Sequence, residues 1–178
     1  MYLINENLVI RNATSEDAQI LCNWWNDGKV MAHAGFPHSL GTTTQKIVLE
    51  LATDTDDRFR RLILEIDAIA IGEMSYRNVG NKVAEIGIKI CDFKRQDQGY
   101  GARFLKMLIE CLFNEMDYET IILDTNLNNT RAQHVYEKIG FKKVALKKNS
   151  WKNQIGELQS SIDYALTKSE YRKNIPKK

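Results

Sequence analysis

The stretch Gln96-Asp97-Gln98-Gly99-Tyr100-Gly101 joins a strand-like run to the clearest helical pattern in the sequence, which covers residues 100–116. The apolar residues that share one face of this helix are Phe104, Leu105, Leu108, Ile109, Leu112, Phe113 and Met116. Glycines let backbone N–H groups approach an anion closely, and a helix N-terminus carries partial positive charge. The stretch therefore predicts a phosphate-binding turn, although a Gly-x-Gly pattern alone fits a purely structural turn equally well.

Two common phosphate motifs do not match this stretch. The Walker loop requires Gly-Lys-Ser/Thr, which does not follow here. The dinucleotide fingerprint requires a third glycine, which is also missing. The turn must therefore be interpreted together with a second segment.

That second segment is Asn129-Thr130-Arg131-Ala132-Gln133-His134-Val135-Tyr136-Glu137-Lys138-Ile139-Gly140-Phe141. An amphipathic helix is predicted over residues 128–139, and Gly140 would end it. Together the two segments resemble the pattern of the GNAT acetyltransferases. That pattern is Gln/Arg-x-x-Gly-x-Gly/Ala, followed further along the chain by Asn-x-x-Ala-x-x-x-Tyr-x-x-x-Gly-Phe. Every signature position is filled, and the resemblance is close over residues 83–145.

The resemblance implies a fold as well as a family. The expected fold class is α/β, with a central, mostly antiparallel mixed sheet flanked by helices. That sheet is expected to splay open between the strands at residues 83–91 and 120–123, so that a pantetheine arm can insert. The Asn23-Trp24-Trp25-Asn26-Asp27 stretch and Glu85-Ile86-Gly87 further resemble the branch that contains ribosomal-protein N-acetyltransferases.

Hydrophobic periodicity predicts the same order of elements independently of the resemblance. The predicted strands are Leu8 with its neighbours and residues 62–66, 68–76, 83–91, 120–123, 141–146 and 158–166. The predicted helices are one that begins at residues 14–17, a short one at Thr44–Leu51, and those at residues 100–116 and 128–139. Strand 83–91 alternates, with Glu85 on its polar face.

Acetyl-CoA is the co-substrate that the resemblance implies. The backbone amides of residues 98–102 would hold the CoA pyrophosphate, and Ile90 and Cys91 would bind the pantetheine arm through their backbone. Asn129 would contact the same arm from the start of its helix. The implied cofactor-binding residues are Ile90, Cys91, Gln96, Gln98, Gly99, Tyr100, Gly101, Ala102 and Asn129.

Tyr136 and Glu85 are the expected catalytic residues. The resemblance implies that Tyr136 protonates the departing thiolate, and a phenol with a reference pKa of about 10 stays protonated at neutral pH. Backbone N–H groups near Ile90 and Cys91 would stabilise the oxyanion. Glu85 is the candidate base for the amine, a water chain is an alternative, and Glu73 is the second candidate. Without the resemblance, Tyr136 also fits a core aromatic and Glu85 an exposed sheet residue.

Composition sets limits on the partners. The 178 residues fit one domain over residues 1–178, and residues 168–178 are predicted to be a basic, frayed tail. Lys plus Arg number 25 and Asp plus Glu 23, so the net charge of +2 predicts no nucleic-acid partner. No apolar run approaches the roughly 18 residues that cross a bilayer, so no membrane partner is expected.

Cysteine and histidine spacing predicts reduced thiols, a cytoplasmic protein and no metal site, because neither CxxC nor paired His spacing occurs. The cysteines are Cys22, Cys91 and Cys111, and the histidines are His33, His38 and His134.

The function that the resemblance implies is acetyl-CoA-dependent N-acetylation of a primary amine by direct attack. A protein N-terminus, a polyamine, an aminoglycoside-like compound and another small amine stay open as acceptors. The alternative is a non-catalytic acetyl-CoA-binding module of the same fold. Dimerisation is common among members of the family, which raises a homodimer by analogy.

Overall fold

One eight-stranded sheet organises residues 1–174, which are the residues that this computed structural model describes. In spatial order its strands are β1 (Tyr2–Asn5), β2 (Leu8–Asn12), β3 (Phe59–Ile66), β4 (Ile69–Asn78), β5 (Val83–Ile90), β6 (Thr120–Asn126), β8 (Leu158–Thr167) and β7 (Lys142–Lys152). Neighbouring strands are antiparallel except for β5 and β6, which run parallel. The predicted α/β class with a mostly antiparallel mixed sheet is confirmed.

Helices cover both faces of this sheet. They are α1 (Ala18–Trp25), α2 (Gly28–Met31), α3 (Thr44–Leu51), α4 (Tyr100–Asn114), α5 (Thr130–Ile139) and α6 (Lys168–Asn174). The apolar row of α4 packs with α5 into the larger core cluster on one face. Helices α1 and α3 form a smaller cluster on the other face. None of the helices within residues 1–174 is long and apolar enough to cross a membrane.

Strand β3 shows why the central strands are apolar at consecutive positions. Leu62 and Leu64 belong to the larger core cluster, and Ile63 belongs to the smaller cluster on the opposite face. Successive side chains of a strand point to opposite faces of the sheet. A strand that is covered on both faces therefore needs apolar residues at consecutive positions. The run Leu62-Ile63-Leu64 follows from this two-sided burial.

The ladder between β5 and β6 is short. It consists of three pairs: Val83 with Thr120, Ala84 with Ile121, and Glu85 with Ile122. Beyond Glu85, β5 continues to Ile90 and β6 continues to Asn126 without further pairs between the two strands. The sheet therefore opens like a V at its centre, as predicted from the family resemblance.

The C-terminal segment corrects one prediction. Residues 168–174 form α6 rather than a frayed tail. Tyr171 is buried with its ring centroid 5.8 Å from that of Phe113, and its hydroxyl donates to Glu110 at 3.2 Å. A single aromatic among basic residues therefore anchors the helix. The rest of the predicted tail, residues 175–178, lies outside the described residues.

The edge strands were also incompletely predicted. Strand β1 was not predicted, and β7 extends to Lys152 rather than ending at Leu146. Nearly all positions of the two edge strands, β1 and β7, are exposed. Exposed edge strands lack the apolar alternation on which a strand prediction depends.

Candidate active site

A cleft of about 750 Å³ fills the opening between β5 and β6. Its floor consists of backbone and side chains from β4, β5 and β6, and one wall consists of the starts of α4 and α5. The opposite wall consists of the segment around α2 together with Trp151 of β7. The cleft thus passes through the sheet and is bounded by a different set of elements on each face.

The glycine turn forms the first half of the cleft. Gly99 is the N-cap of α4 and has a φ of +80°, a left-handed conformation that L side chains rarely adopt. No described atom lies within 4 Å of the position that a Cβ on Gly99 would take, and a Cβ on Gly101 would only touch Ile90 at 4.0 Å. The space in front of the turn is open.

The amides of this turn are unused. Within residues 1–174, no acceptor contacts the backbone N–H groups of residues 98–102, whereas the next amide, that of Arg103, donates to Gly99 at 3.2 Å. Free N–H groups at a helix N-terminus, beside glycines without a Cβ, are the donors that an anionic phosphate requires. The turn is therefore a candidate phosphate-binding site.

Gln96 and Gln98 hold the turn in place through their side chains. The Gln96 amide donates to the Ile90 carbonyl at 2.8 Å, and Arg131 donates to the Gln96 side-chain oxygen at 2.9 Å. The Gln98 amide donates to the Lys94 carbonyl at 2.5 Å. The Gln96 bonds tie the turn to the end of β5 and to the start of α5, and the Gln98 bond closes the loop on itself.

The backbone of β5 presents Ile90 to the cleft. The Cys91 N–H donates to the Ile71 carbonyl at 2.8 Å, so Cys91 and Ile71 form a hydrogen-bonded pair of the β4–β5 ladder. In an antiparallel ladder such pairs alternate with non-bonded ones, so the adjacent Gly72–Ile90 pair is non-bonded. The Ile90 N–H therefore points away from β4 and into the opening.

The structure limits which groups of Cys91 are available to the site. Its N–H donates to the Ile71 carbonyl, so this amide is not available to stabilise an oxyanion, and a contact between the Cys91 backbone and the pantetheine arm stays a prediction. Its side chain is buried, and loss of hydration raises the pKa of the thiol well above its usual range. Cys91 therefore has neither a free amide nor a reactive thiolate.

Asn129 starts α5 at the edge of the cleft. It is the N-cap, and its side-chain oxygen accepts from the Ala132 N–H at 3.2 Å. An Asn at this position satisfies one of the otherwise free amides of the first turn. The cap fixes where α5 begins, and with it the side from which Tyr136 enters the cleft.

Tyr136 reaches the cleft from the interior of the protein. Its side chain is 6% exposed and packs against the rings of Phe141 and Tyr164, with centroid distances of 6.0 and 5.7 Å. Its hydroxyl has no hydrogen-bond partner within the described chain, and it is not sealed off, since the residue lines the cleft. Desolvation, and secondarily the charge of Asp124, raises the pKa of Tyr136 to about 12.

The two predicted bases are both paired with cations. Glu85 lines the cleft but accepts from Arg77 Nε at 3.0 Å and also from Arg77 Nη2. Glu73 is largely buried and accepts from Lys89 Nζ and Trp25 Nε1, each at 2.9 Å. Glu73 contacts α1 rather than the cleft, so it does not reach the site of reaction.

Asp124 is a carboxylate that the sequence interpretation missed. It lies on β6, two residues beyond the last β5–β6 pair, and it lines the cleft. Partial desolvation and the charges of Asp163 and Glu85 raise the pKa of the Asp124 carboxyl. The predicted strand ended at Leu123, so Asp124 was placed outside the sheet; the polar residue directly after a buried strand was the available signal.

The β7–β8 hairpin borders the second half of the cleft, which is the half that lies away from the Gly99 turn. The Trp151 ring packs so closely on Gly35 that a Cβ there would collide with it. Gln154 fixes the hairpin: its N–H donates to the Gly35 carbonyl at 2.8 Å, and its side-chain amide donates to the Ser39 carbonyl at 2.9 Å. No sequence motif marks either segment, and only the fold brings them together.

The splayed sheet, the turn with free amides and the buried Tyr136 phenol border one opening. This combination of fold and site is typical of an acyltransferase. The family model of the acetyltransferase (GNAT) domain matches residues 7–142. The chain therefore belongs to the GNAT acetyltransferase family, a family that uses acetyl-CoA.

Relatives agree with this assignment. The chain is 23% identical over 176 residues to the uncharacterized N-acetyltransferase p20 of Bacillus licheniformis, covering 95% of this chain and 97% of the relative. A solved probable acetyltransferase has a TM-score of 0.82 at 23% identity, with 96% of this chain and 98% of that chain covered. A spermidine N-acetyltransferase from Vibrio cholerae, solved with CoA and spermine, has a TM-score of 0.82 at 19% identity, with coverages of 94% and 99%. Identities this low show a shared fold.

Proposed function

We propose that this acetyltransferase transfers an acetyl group from acetyl-CoA to a primary amine. The observation that carries the proposal is the juxtaposition of the free amides of residues 98–102 with the Tyr136 hydroxyl in one continuous cleft. The first group binds an anion, and the second donates a proton to a leaving group. An N-acetyltransferase needs both at opposite ends of the pantetheine arm.

The cofactor would be held mainly through the backbone. The amides of residues 98–102 would bind the pyrophosphate, and the Ile90 N–H would bind the pantetheine arm where β5 leaves β6. Asn129 would border the same arm from the start of α5. The cofactor supplies the activated acetyl group, and the protein supplies donors, orientation and exclusion of water.

Tyr136 would act as the acid. The raised pKa keeps its phenol protonated at neutral pH, so the proton is present when the thiolate leaves. The Phe141 and Tyr164 rings fix the direction of the side chain. A non-catalytic acetyl-CoA-binding module would have no need of a polar group in this position.

A cationic acceptor fits the second half of the cleft. Glu85 and Asp124 both line it, and carboxylates attract an ammonium group. The structural neighbour that binds spermine supports a polyamine among the candidates, beside a protein N-terminus and other small amines. A cytoplasmic location, a homodimer, a single domain and the likeness to the ribosomal-protein branch stay predictions.

Calorimetry with acetyl-CoA tests the cofactor half of the proposal. Gly99→Ala is expected to weaken binding at least about tenfold, because the added Cβ enters the open space before the amides. Gly80→Ala is the matched control, since Gly80 has a similar φ of +89° and equally open surroundings but lies in the β4–β5 turn. Both variants carry the same left-handed strain of roughly 1–2 kcal/mol. Equal affinities for the two variants, or no binding by the wild type, would refute the proposed cofactor site.

A further inference from the structure

We propose that the Asp124 carboxylate is the catalytic base that takes the proton from the acceptor ammonium, in place of Glu85 or Glu73. This inference rests on the proposed N-acetyltransferase function. It concerns a residue that belongs to neither of the two sequence segments that define the family resemblance. Three observations carry it: the position of Asp124 in the opening, its lack of a cationic partner, and the charges around it.

The position follows from the sheet. Glu85 pairs with Ile122, so Glu85, Ile122 and Asp124 lie on the same face of the sheet. Asp124 is two residues further along β6, at the level where β5 has already turned away. Tyr136 enters the same opening from the α4–α5 face and is close enough for the charge of Asp124 to act on its phenol. Acid and candidate base therefore border one space from opposite faces of the sheet.

The other nearby carboxylates are all engaged by cations. Glu85 forms an ion pair with Arg77, and Glu73 forms one with Lys89. Asp163 forms an ion pair with Lys147 at 2.6 Å. Asp124, in contrast, forms no ion pair within residues 1–174, and the hydrogen-bond donor that its carboxylate contacts is its own backbone N–H. A carboxylate that is tied to a guanidinium or ammonium group is a poor proton acceptor, because protonation would break the pair. Asp124 is the carboxylate in the opening that can accept a proton without losing a partner.

Asp124 is exposed to the cleft, and the charges around it distinguish it from an isolated carboxylate. Glu85 on β5 and Asp163 on β8 face it with negative charge, Lys147 on β7 opposes them, and Tyr136 on α5 adds a neutral phenol. Partial desolvation and the two negative neighbours outweigh Lys147, so the pKa of Asp124 rises. A base whose pKa moves toward neutrality is more effective at physiological pH. The same negative charges favour an ammonium group in front of it.

The proton balance closes without a further reactant. Asp124 takes one proton from R–NH₃⁺, and the nitrogen lone pair then forms the N–C bond with the thioester carbonyl carbon. As the C–S bond breaks, Tyr136 Oη gives its proton to the thiolate sulfur. The second proton leaving the nitrogen restores the phenol, and Asp124 releases its proton to solvent. The net products are the N-acetyl amine, CoA thiol and one proton.

The test is steady-state kinetics on Asp124→Asn, with Glu85→Gln and Asp163→Asn measured in parallel. The probes are acetyl-CoA with spermine, with a peptide that has a free N-terminus, or with benzylamine, whichever the wild type acetylates fastest. Asp163 lies opposite Asp124 in the β6–β8 ladder and is paired with Lys147, so its variant changes the charge beside Asp124 without removing the candidate base. For Asp124→Asn we expect a kcat loss of about 100-fold at pH 7, with the Kd for acetyl-CoA changed less than about twofold. Glu85→Gln and Asp163→Asn remove negative charges that face the acceptor, so each should mainly raise the acceptor KM and lower kcat less than about tenfold.

A pH series separates a base from a mere anchor. The deficit of Asp124→Asn should shrink to less than about tenfold near pH 10, because a much larger fraction of the amine is neutral there than at pH 7. A deficit that persists at high pH, a variant that only raises the acceptor KM, or full activity of Asp124→Asn beside an inactive Glu85→Gln would overturn the assignment. If the wild type turns over none of the three amines, the proposed function itself fails, and the assignment of Asp124 fails with it.

Discussion

The two halves of the cleft are built in different ways. The half that is proposed to bind the cofactor, called the cofactor half, consists of backbone groups from the Gly99 turn, the end of β5 and the start of α5. The acceptor half consists of side chains from distant segments, among them Asp124 of β6 and Trp151 of β7. Backbone donors need short local motifs with glycine at fixed places, whereas a side-chain pocket can draw on any residue that the fold brings near. The first half can therefore be identified in a sequence, and the second must be observed in three dimensions.

Tyr136 lies where the two halves meet, and removing its hydroxyl should give the largest effect. For Tyr136→Phe we expect kcat to fall about 100-fold, because the thiolate then leaves without a proton donor. The Kd for acetyl-CoA should stay within about twofold, since the free amides of the cofactor half are untouched. Assays of thiol release measure kcat, and calorimetry measures the Kd for acetyl-CoA.

Tyr164→Phe is the control for that experiment. It removes a second buried phenol from the same cluster, but the Tyr164 hydroxyl donates to Glu137 rather than facing the cleft. If both variants lose activity equally, the loss reflects packing and not acid catalysis. If wild type binds acetyl-CoA but acetylates no amine, the non-catalytic module becomes the better description.

Trp151→Ala should affect the acceptor half alone, with a smaller effect. Removing the ring that covers the cleft is expected to raise the acceptor KM about tenfold, equivalent to about 1.4 kcal/mol, and to leave the Kd for acetyl-CoA unchanged. Ile155→Ala changes an exposed apolar side chain in the turn of the same hairpin and should leave both constants as they are. A parallel loss of acetyl-CoA affinity in Trp151→Ala would show that the two halves are not independent.

The pH dependence of kcat should show the smallest effect of all. The pKa of Tyr136 is raised to about 12, so the phenol stays protonated as the pH rises past the ordinary tyrosine pKa of about 10. We therefore expect no alkaline decline of kcat between about pH 7 and pH 10 from loss of this proton. A decline with a midpoint near pH 9 would mean that the phenol is less shielded than its burial indicates, or that another group supplies the proton.

At two residues, Glu85 and Cys91, the structure shows contacts that the sequence pattern could not indicate. Glu85 was the predicted base because strand alternation placed it on the polar face, which is where it lies, but alternation says nothing about Arg77 on the next strand. An N–H near Ile90 and Cys91 was predicted to stabilise the oxyanion, and the ladder register engages the Cys91 N–H with the Ile71 carbonyl. Register and ion pairing depend on which strands become neighbours, and no local pattern contains that information.

Local rules, by contrast, identified several features correctly. The start of α4 directly after Gly99, the end of α5 at Gly140 and the apolar row of α4 are properties of a few consecutive residues. Each follows from backbone conformation or helical spacing, which the amino-acid order fixes directly. The short β5–β6 ladder was foreseen only through the family resemblance.

The sequence by itself determined most of the central strands, the glycine turn that begins α4 and the helix that carries Tyr136, because these depend on contacts between near neighbours along the chain. The tertiary structure alone decided that Asp124 lacks a cationic partner, that Trp151 covers the acceptor side and that Tyr171 anchors the last helix. Those outcomes depend on long-range packing, in which residues dozens of positions apart compete for the same partners. The reaction class is therefore a property of short segments, and the choice of acceptor and of base is a property of the folded sheet.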